Sequence, residues 1–436
     1  MCALNVVKGV ILCMKFYIYT LGCKVNTYES NVMKDKLVNA GYLEGSENDS
    51  DIYIINTCTV TNTSDNKSLK LVRRVLKNHP NSIVVVVGCM TQVNSKLLDD
   101  LNVSIVLGNS GKSDIVKYIE EFKNNKNKIV EVENIMVKDF EDMCLNNFNK
   151  TRAFVKIEDG CENYCSYCII PYARGKVRSK NPKTVIEEIN NLIKDGHKEI
   201  VLTGIHTGHY GADLKEYNFS KLLKEIENIE GLERLRISSI EITELDDEFI
   251  DVLKTSKILV DHMHIPLQSG SDEILKLMNR KYNKNEFIER IEKIRKIRPN
   301  ISITTDIIVG FPKETDELFN ETIATVNKIK FSKIHVFPFS LRKGTKAEEL
   351  PNHIDDITKK ERVKKLISIS ENLEKEYFNK FINEEVEFLP EIYKEGYIIG
   401  HTGNYLLIKS KGTIKDLNIM KKVKIQKIEY PYCIGK

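Results

Sequence analysis

The sequence predicts an α/β protein in which an open parallel sheet, a partial TIM-like (β/α)6 barrel and a small antiparallel β-barrel follow one another. Three observations predict this order. Strand-like and helix-like segments alternate at the start of the chain, they alternate six more times in its middle, and short strands joined by Gly- and Asn-containing turns fill its end. Such alternation indicates parallel sheets covered by helices. The length of 436 residues fits two or three domains.

The first domain is predicted to span residues 14–125. Apolar, β-branched runs predict its strands at 16–21, 51–56 and 83–87. Helix-like segments follow these runs at 29–40, 65–78 and 93–100. Residues 1–13 are interpreted as a misassigned start or a tail. The Asn- and Lys-rich stretch 126–146 is interpreted as a linker with little capacity to form a core.

The second and third domains are predicted to span residues 147–375 and 376–436. Six candidate strands of the second domain lie at 154–158, 199–203, 234–238, 262–266, 302–309 and 334–339. Six βα units indicate an open relative of the eight-stranded barrel, with its active site at the carboxyl ends of the strands. Short β-like runs of the third domain lie at 386–390, 397–400, 405–408 and 422–428.

Composition excludes several classes of protein. A hydrophobic content of 41% and a charged content of 29% exclude a disordered or fibrous chain. No apolar run reaches the roughly eighteen residues of a membrane span, so no membrane partner is expected. Without an export signal, the chain is expected in the reducing cytoplasm, where its ten cysteines are metal ligands or catalysts rather than disulfides.

The central cysteine triad, Cys161, Cys165 and Cys168, lies on one loop directly after a predicted strand. Three thiolates at this C-x3-C-x2-C spacing can bind one face of a [4Fe–4S] cluster and leave one iron open for a small molecule. The alternative is structural zinc, which requires a closed set of four ligands. No fourth Cys or His lies nearby in the sequence, so the cluster is favoured.

The N-terminal cysteine triad, Cys23, Cys58 and Cys89, has one member after each of the three predicted strands. The carboxyl ends of parallel strands line a common crevice, so these residues are expected to converge. Buried thiols without chemical consequence are the alternative. That alternative does not explain three equivalent positions.

The central triad, with Tyr167 before its last cysteine, resembles the signature of the radical S-adenosylmethionine (SAM) superfamily. The resemblance implies a [4Fe–4S] cluster whose open iron binds SAM and whose reduction cleaves it to a radical. The two triads in this order resemble the methylthiotransferase family across nearly the whole chain. That resemblance implies a second [4Fe–4S] cluster on the N-terminal triad, which supplies or carries sulfur, and a C-terminal TRAM module that binds RNA.

Four sequence segments resemble those of the subgroup that acts on N6-threonylcarbamoyladenosine. They lie at 20–26, 168–175, 202–206 and 335–340, while Met90 departs from the aromatic residue usual in the subgroup. The resemblance implies methylthiolation of C2 of adenosine 37, with the tRNA anticodon stem-loop, a flavodoxin- or ferredoxin-like electron donor and a sulfur source as partners. An isopentenyl-type adenosine or a ribosomal-protein aspartate is the alternative substrate. A non-catalytic Fe–S or RNA-binding protein would not explain two open triads.

Several further residues are predicted to bind cofactor or RNA. Predicted SAM contacts are Tyr167, Ser239, Glu241 and Gln268, of which the last three could equally cap a loop. Predicted contacts to RNA phosphate, each of which could equally belong to a solvated surface, are Arg174, Lys176, Arg178, Lys409, Lys411, Lys421, Lys422 and Lys424. His262 and His264 alternate on one predicted strand and are interpreted as ordinary strand residues rather than a metal pair.

Overall fold

The computed structural model describes residues 4–7, 10–148 and 150–436, with side chains from residue 13 onward. Its N-terminal elements are β1 (Leu4–Val7), β2 (Val10–Cys13), β3 (Lys15–Thr20), α1 (Lys24–Asn39), β4 (Leu43–Glu44), β5 (Ile52–Thr57), α2 (Asn62–Asn78), β6 (Ile83–Gly88), α3 (Cys89–Asn94), β7 (Ile105–Leu107), α4 (Ile115–Asn125) and β8 (Ile129–Glu131).

An open six-stranded parallel sheet in the order β4-β3-β5-β6-β7-β8 forms the N-terminal domain. β5 and β6 are buried at every position, because helices pack on both faces of the sheet. α1 and α4 contribute to the core on one face, and α2 contributes Val72 and Val75 to the core on the other. The predicted doubly covered sheet is confirmed.

The prediction that residues 126–146 form a linker with little capacity to form a core is wrong. Residues 129–131 add β8 to the sheet beside β7. Met143, Leu145 and Phe148 are buried in the core of the central domain. Apolar residues spaced among Asn and Lys therefore fasten this segment to both domains.

Residues 1–13 were predicted as a misassigned start or a tail. Residues 1–3, 8 and 9 lie outside the described residues. Among the described ones, β1 pairs with β2 as an antiparallel hairpin, with Leu4 opposite Cys13. That residues 1–13 are a misassigned start or a tail stays a prediction.

The central domain is built from alternating strands and helices. Its elements are β9 (Arg152–Lys156), β10 (Glu158–Asp159), α5 (Ile170–Arg174), β11 (Arg178–Ser179), α6 (Pro182–Lys194), β12 (Glu199–Thr203), α7 (Phe219–Ile226), β13 (Arg234–Ile237), α8 (Asp247–Thr255), β14 (His262–His264), α9 (Asp272–Leu277), α10 (Lys284–Ile297), β15 (Ser302–Val309), α11 (Asp316–Ile329), β16 (Lys333–Pro338) and α12 (Asp356–Asn379).

Six parallel strands of this domain form the partial barrel that the sequence predicts. β13-β12-β9 and β14-β15-β16 are its two halves, joined by a bridge between Leu235 and Leu259. Side chains alternate along each strand. Met263 and Ile303 therefore face the apolar core under the helices, whereas their strand neighbours His262 and Thr304 line a polar lumen.

The C-terminal domain is a closed five-stranded barrel in the order β17-β18-β19-β21-β20. Its strands are β17 (Glu385–Lys394), β18 (Tyr397–Thr402), β19 (Leu407–Lys411), β20 (Lys421–Glu429) and β21 (Tyr432–Gly435). The expectation of a wholly antiparallel barrel is wrong at one pairing, because β19 and β21 run parallel. Closure requires the short last strand to fill the gap between β19 and β20.

The C-terminal barrel seals the amino-terminal end of the central barrel. Arg152, the first residue of β9, donates to the Tyr405 hydroxyl at 2.9 Å and pairs with Glu391 at 3.1 Å. Arg234, the first residue of β13, donates to the carbonyl of His401 at 3.1 Å. The guanidinium of Arg236 lies 4.4 Å from the Tyr405 ring centroid. The carboxyl ends of the strands, where the sequence places the active site, are thus at the opposite end.

Candidate active site

The N-terminal triad lies at the carboxyl ends of three neighbouring strands, β3, β5 and β6. Cys58 follows β5 directly, and Cys89 begins α3 immediately after β6. A methyl group on Gly22 would lie 2.8 Å from Cβ of Cys58, and φ at Gly22 is +102°. Glycine at this position therefore lets the loop that carries Cys23 turn close against Cys58.

Asn26 and Arg174 tie the members of this triad together. The Asn26 amide donates to the carbonyls of Leu21 at 2.7 Å and Thr57 at 2.9 Å, which joins the ends of β3 and β5. Arg174 donates from Nη2 to Oδ1 of Asn26 at 2.7 Å and from Nε to Sγ of Cys89 at 3.2 Å. Hydrogen bonds through these two side chains therefore connect the segments that carry Cys23, Cys58 and Cys89 at one edge of the sheet.

A buried ion cluster lies under the triad and consists of Glu29, Lys112, Lys156, Asp159 and Arg174. Lys156 pairs with Glu29 at 2.9 Å and with Asp159 at 2.7 Å, and Arg174 also pairs with both carboxylates. Burial raises the pKa of Asp159, but Lys156 and Arg174 oppose it and lower the pKa to about 2. Burial raises the pKa of the Cys23 and Cys58 thiols, and the Arg174 guanidinium opposes this shift, which suits thiolate ligands.

The prediction that Arg174 and Arg178 contact RNA phosphate is wrong. Arg174 is fully buried in the ion cluster. Arg178 is 8% exposed and donates to the carbonyl of Arg174 at 2.6 Å and to that of Asp139 at 3.3 Å. Both guanidiniums are needed inside the fold, because buried carboxylates and carbonyls there require donors. Lys176 is exposed, as the prediction requires.

The central triad lies on the loop after β10, at the carboxyl end of the barrel. Cys168 donates its N–H to the Cys165 carbonyl at 2.9 Å, which folds the loop back on itself. The segment after α9 holds the loop from outside, since Ser166 donates to the Met278 carbonyl at 3.0 Å and the Asn279 amide donates to that of Tyr164 at 3.0 Å. One short loop thus presents all three thiols.

Arg280 gives the central triad the same type of contact that Arg174 gives the other. It donates from Nη1 to Sγ of Cys165 at 3.3 Å, and its Nη2 pairs with Glu241. Burial and the neighbouring Cys165 raise the pKa of the Cys168 thiol to about 12. Metal ligands of this type bind as thiolates, so cluster binding would release the proton, and the donor set of three thiols fits an iron–sulfur cluster.

The predicted SAM contacts lie around this loop in different settings. Tyr167 packs edge-on against Phe311, with ring centroids 6.4 Å apart. Ser239 is partly exposed after β13. Gln268 extends the pairing beyond β14, because its N–H donates to the Asp306 carbonyl at 2.9 Å. Glu241 has Arg280 as its partner. Their contact with SAM stays a prediction.

Two histidines and a glutamate beside the central triad were not predicted as site residues. Nδ1 of His206 lies 3.8 Å from Sγ of Cys161, and its Nε2 pairs with Glu244. His209 stacks on His206 with ring centroids 3.8 Å apart. Burial lowers the pKa of His206 to about 4 and raises that of Glu244 to about 7. His206 lies in a phrase that the sequence singles out, but only the fold shows its proximity to Cys161.

A single short helix separates the two triads. α5 starts two residues after Cys168 and ends at Arg174, which contacts Cys89. The Asn109 amide donates to the carbonyl of Ala173 at 2.7 Å and to Sγ of Cys89 at 3.4 Å. Five helical residues span about 7.5 Å. Both triads therefore face the same end of the barrel.

Comparison with known proteins decides which family this arrangement represents. The pattern of the Radical SAM superfamily matches residues 155–326, and that of the uncharacterized protein family UPF0004 matches residues 15–108. Threonylcarbamoyladenosine tRNA methylthiotransferase MtaB of Bacillus subtilis is 44% identical over 427 residues, which cover 96% of this chain and 95% of that protein. The chain belongs to the radical SAM tRNA methylthiotransferase family.

Two further relatives complete the comparison. tRNA-2-methylthio-N(6)-dimethylallyladenosine synthase of Bacillus subtilis is 34% identical and covers 94% of this chain and 83% of its own. The structure of the radical SAM methyltransferase TsrM of Kitasatospora setae has a TM-score of 0.54 at 12% identity, with 75% of each chain covered. That likeness confirms the predicted fold class. Membership of the methylthiotransferase family makes the chain an enzyme, and its superfamily implies SAM and a [4Fe–4S] cluster.

None of the helices in the described ranges combines the length and the apolarity that a bilayer crossing requires.

Proposed function

We propose that this methylthiotransferase installs a methylthio group on C2 of N6-threonylcarbamoyladenosine at position 37 of tRNA. The observation that carries the proposal is the placement of two cysteine triads on either side of α5, at one end of a barrel. The assignment of the substrate rests on the sequence identity to named relatives. The Bacillus subtilis protein named for threonylcarbamoyladenosine is 44% identical to this chain, whereas the one named for dimethylallyladenosine is 34% identical.

In this proposal Cys161, Cys165 and Cys168 hold the SAM-binding cluster, and Cys23, Cys58 and Cys89 hold a second [4Fe–4S] cluster. When bound, these groups supply the one-electron chemistry and the sulfur needed to replace a C2 hydrogen that is neither acidic nor nucleophilic. A flavodoxin- or ferredoxin-type donor and a separate sulfur source serve them in the cytoplasm. Three cysteines in each triad leave one iron open.

The protein's own residues position and shield this chemistry. Arg280 and Arg174 each donate an N–H to a cysteine sulfur, and such hydrogen bonds tune the reduction potential of an iron–sulfur centre. Glu241 fixes the guanidinium of Arg280. The buried ion cluster holds α5 against the N-terminal sheet and excludes water from that side.

The C-terminal barrel is proposed as a TRAM module that binds the anticodon stem-loop. Lys411, Lys422 and Lys424 are exposed, whereas Lys409 lies between two tyrosine rings, 4.5 Å from the Tyr397 centroid. Lys421 pairs with Asp416, and Lys422 and Lys424 stand opposite Glu387 and Glu385 on the neighbouring strand. Cross-strand neighbours share a face, so carboxylates partly neutralise these lysines and the positive surface is weaker than the lysine count suggests.

Mass spectrometry of digested tRNA from a strain lacking this gene, beside its parent, tests the proposal. The methylthio-threonylcarbamoyl nucleoside is expected to disappear and its unthiolated precursor to accumulate, because only C2 substitution is lost. The wild-type gene on a plasmid should restore the product. A parent that makes the nucleoside and a deletion strain with an unchanged profile would contradict the substrate assignment.

Replacing Arg280 with methionine is expected to slow SAM cleavage by about 10- to 100-fold, the range typical when a group behind a metal ligand is lost. The substitution removes the N–H donated to Cys165 and leaves the partly buried Glu241 without its cation. The cluster is then harder to reduce. A more negative midpoint potential in an EPR-monitored redox titration checks this explanation, and an unchanged potential contradicts it. Arg290→Met, which changes a guanidinium on α10 that donates to the Leu245 carbonyl, is the matched control.

A further inference from the structure

The barrel lumen contains a chamber of about 380 Å³ that is lined mostly by residues with polar groups and that the catalytic assignments leave without a role. Its walls include His262, His264, Thr304, Lys333 and His335, which occupy alternate positions on β14, β15 and β16. Its floor is formed by the C-terminal barrel through residues that include Tyr405 and Asn404. The volume is that of a site for a small molecule or a substituent.

The chamber borders the end of the barrel that carries the cysteine triads. Lys24, which lines it, directly follows Cys23 of the N-terminal triad. Ser238, which also lines it, comes at the carboxyl end of β13, beside the predicted SAM contact Ser239. A base held between the two triads can therefore extend a substituent down the lumen, where the Tyr405 ring closes the far end.

Most charged groups around the chamber are paired within the fold. Lys333 pairs with Glu374 at 3.0 Å, and His264 lies 3.4 Å from Asp306. Arg236 pairs with Glu199 at 2.7 Å, and Arg152 with Glu391. In contrast, the ammonium of Lys24 has no carboxylate within 4 Å among the residues that the structure describes. The chamber thus keeps one uncompensated cation.

His262 supplies an unpartnered ring nitrogen in the same wall. The residue is 8% exposed, and its Nδ1 has no hydrogen-bond partner within the described part of the chain. Its Nε2 lies 3.3 Å from Oγ1 of Thr304, which is also 3.0 Å from Nδ1 of His264. Nε2 of His264 faces Asp306, so the neutral His264 ring carries its proton there and its Nδ1 accepts from the Thr304 hydroxyl. His262 then donates from Nε2 to the same oxygen, which leaves its Nδ1 as an unpaired acceptor. A buried acceptor that is left unpaired is costly, so a hydroxyl of the ligand is expected to donate to it.

We propose that this chamber binds the threonine moiety of the N6-threonylcarbamoyl group, with Lys24 on its carboxylate and Nδ1 of His262 on its hydroxyl. The inference rests on the proposed function and deepens it. The threonine moiety ends in a carboxylate and a hydroxyl, which the cation and the polar walls can pair. A dimethylallyl group offers neither, so it would bury Lys24 and His262 without partners and be rejected. His262 and His264 are then substrate-facing rather than ordinary strand residues.

The test uses three synthetic anticodon stem-loops, which carry threonylcarbamoyladenosine, its threonine amide or dimethylallyladenosine. Wild-type enzyme should show kcat/KM at least about 30-fold lower on the amide, as expected when one partner of a buried ionic hydrogen bond is removed. Lys24→Met should lower kcat/KM on the carboxylate RNA by a similar factor and change it little on the amide RNA. Rates are normalised to iron content, because Lys24 adjoins Cys23.

Two further variants control for packing and position. His262→Asn keeps an amide oxygen that can accept near the position of Nδ1 and should retain more of kcat/KM on the threonylcarbamoyl RNA than His262→Leu. Lys296→Met, on the exposed face of α10, should behave as wild type on all three RNAs. A wild-type enzyme that modifies carboxylate and amide RNAs equally, or a Lys24→Met variant that loses activity equally on both, would overturn the chamber assignment alone. Modification of only the dimethylallyl RNA would overturn the proposed function as well.

Discussion

Cys165→Ala is expected to abolish both SAM cleavage and methylthiolation while leaving about four iron atoms per chain on the N-terminal triad. Cys165 is the middle thiol of its loop and the one that receives the N–H of Arg280. The two remaining cysteines are too few to hold the cluster with its open iron in the SAM-binding position. Release of 5′-deoxyadenosine under dithionite, measured beside iron content in anaerobically reconstituted protein, checks the expectation.

Cys58→Ala is the matched variant and should give a different result. It should lose methylthiolation and about four of the eight irons expected for two clusters, yet keep SAM cleavage, because the central loop is untouched. Cys433→Ala, within the C-terminal barrel, should retain all three properties, since that thiol packs among apolar residues. A Cys58→Ala protein that keeps eight irons or full methylthiolation would exclude the N-terminal triad as a cluster site.

Arg174→Met is expected to cost roughly 3–5 kcal/mol of unfolding free energy, because it removes one partner from a buried ion cluster. Glu29 and Asp159 would each lose a guanidinium donor, and Sγ of Cys89 would lose its N–H. Methylthiolation should fall by at least about 10-fold. Anaerobic urea unfolding and single-turnover methylthiolation of the cluster-loaded protein measure the two effects.

Arg174→Lys separates the two contributions. It keeps a cation for the carboxylates but cannot donate simultaneously to Asn26, Glu29 and Cys89 as the guanidinium does. Stability should therefore recover in large part, while the deficit in methylthiolation persists. Arg73→Met, on the exposed face of α2, should change neither quantity. Equal recovery of stability and activity in Arg174→Lys would contradict a specific role for the N–H on Cys89.

The convergence of the N-terminal triad could be predicted because it depends only on strand order. Any three residues that follow β3, β5 and β6 must lie at one edge of a parallel sheet, whatever the loops do. The central triad could be predicted from local spacing alone, since Cys161, Cys165 and Cys168 lie within eight consecutive residues. Local spacing and a topological rule were sufficient for both sets.

The partners of these thiols could not be predicted, because they depend on contacts between distant segments. Arg174 follows the central triad in a basic stretch that looks solvated, but it pairs with Glu29, 145 residues earlier in the chain. Arg280 lies in a loop after α9 without any local signal of its contact with Cys165. The error at 126–146 has a similar cause, since Met143 and Leu145 find their core only in another domain.

The position of α5 between the triads has a consequence for how this enzyme can change over evolutionary time. Each residue turns a helix by about 100°. A single insertion or deletion between Cys168 and Arg174 would thus rotate the guanidinium off Cys89 and move the Ala173 carbonyl away from Asn109. Substitutions on the exposed side, such as at Tyr172, leave both contacts in place. The two contacts therefore constrain the length of this segment more strictly than the identity of its exposed residues.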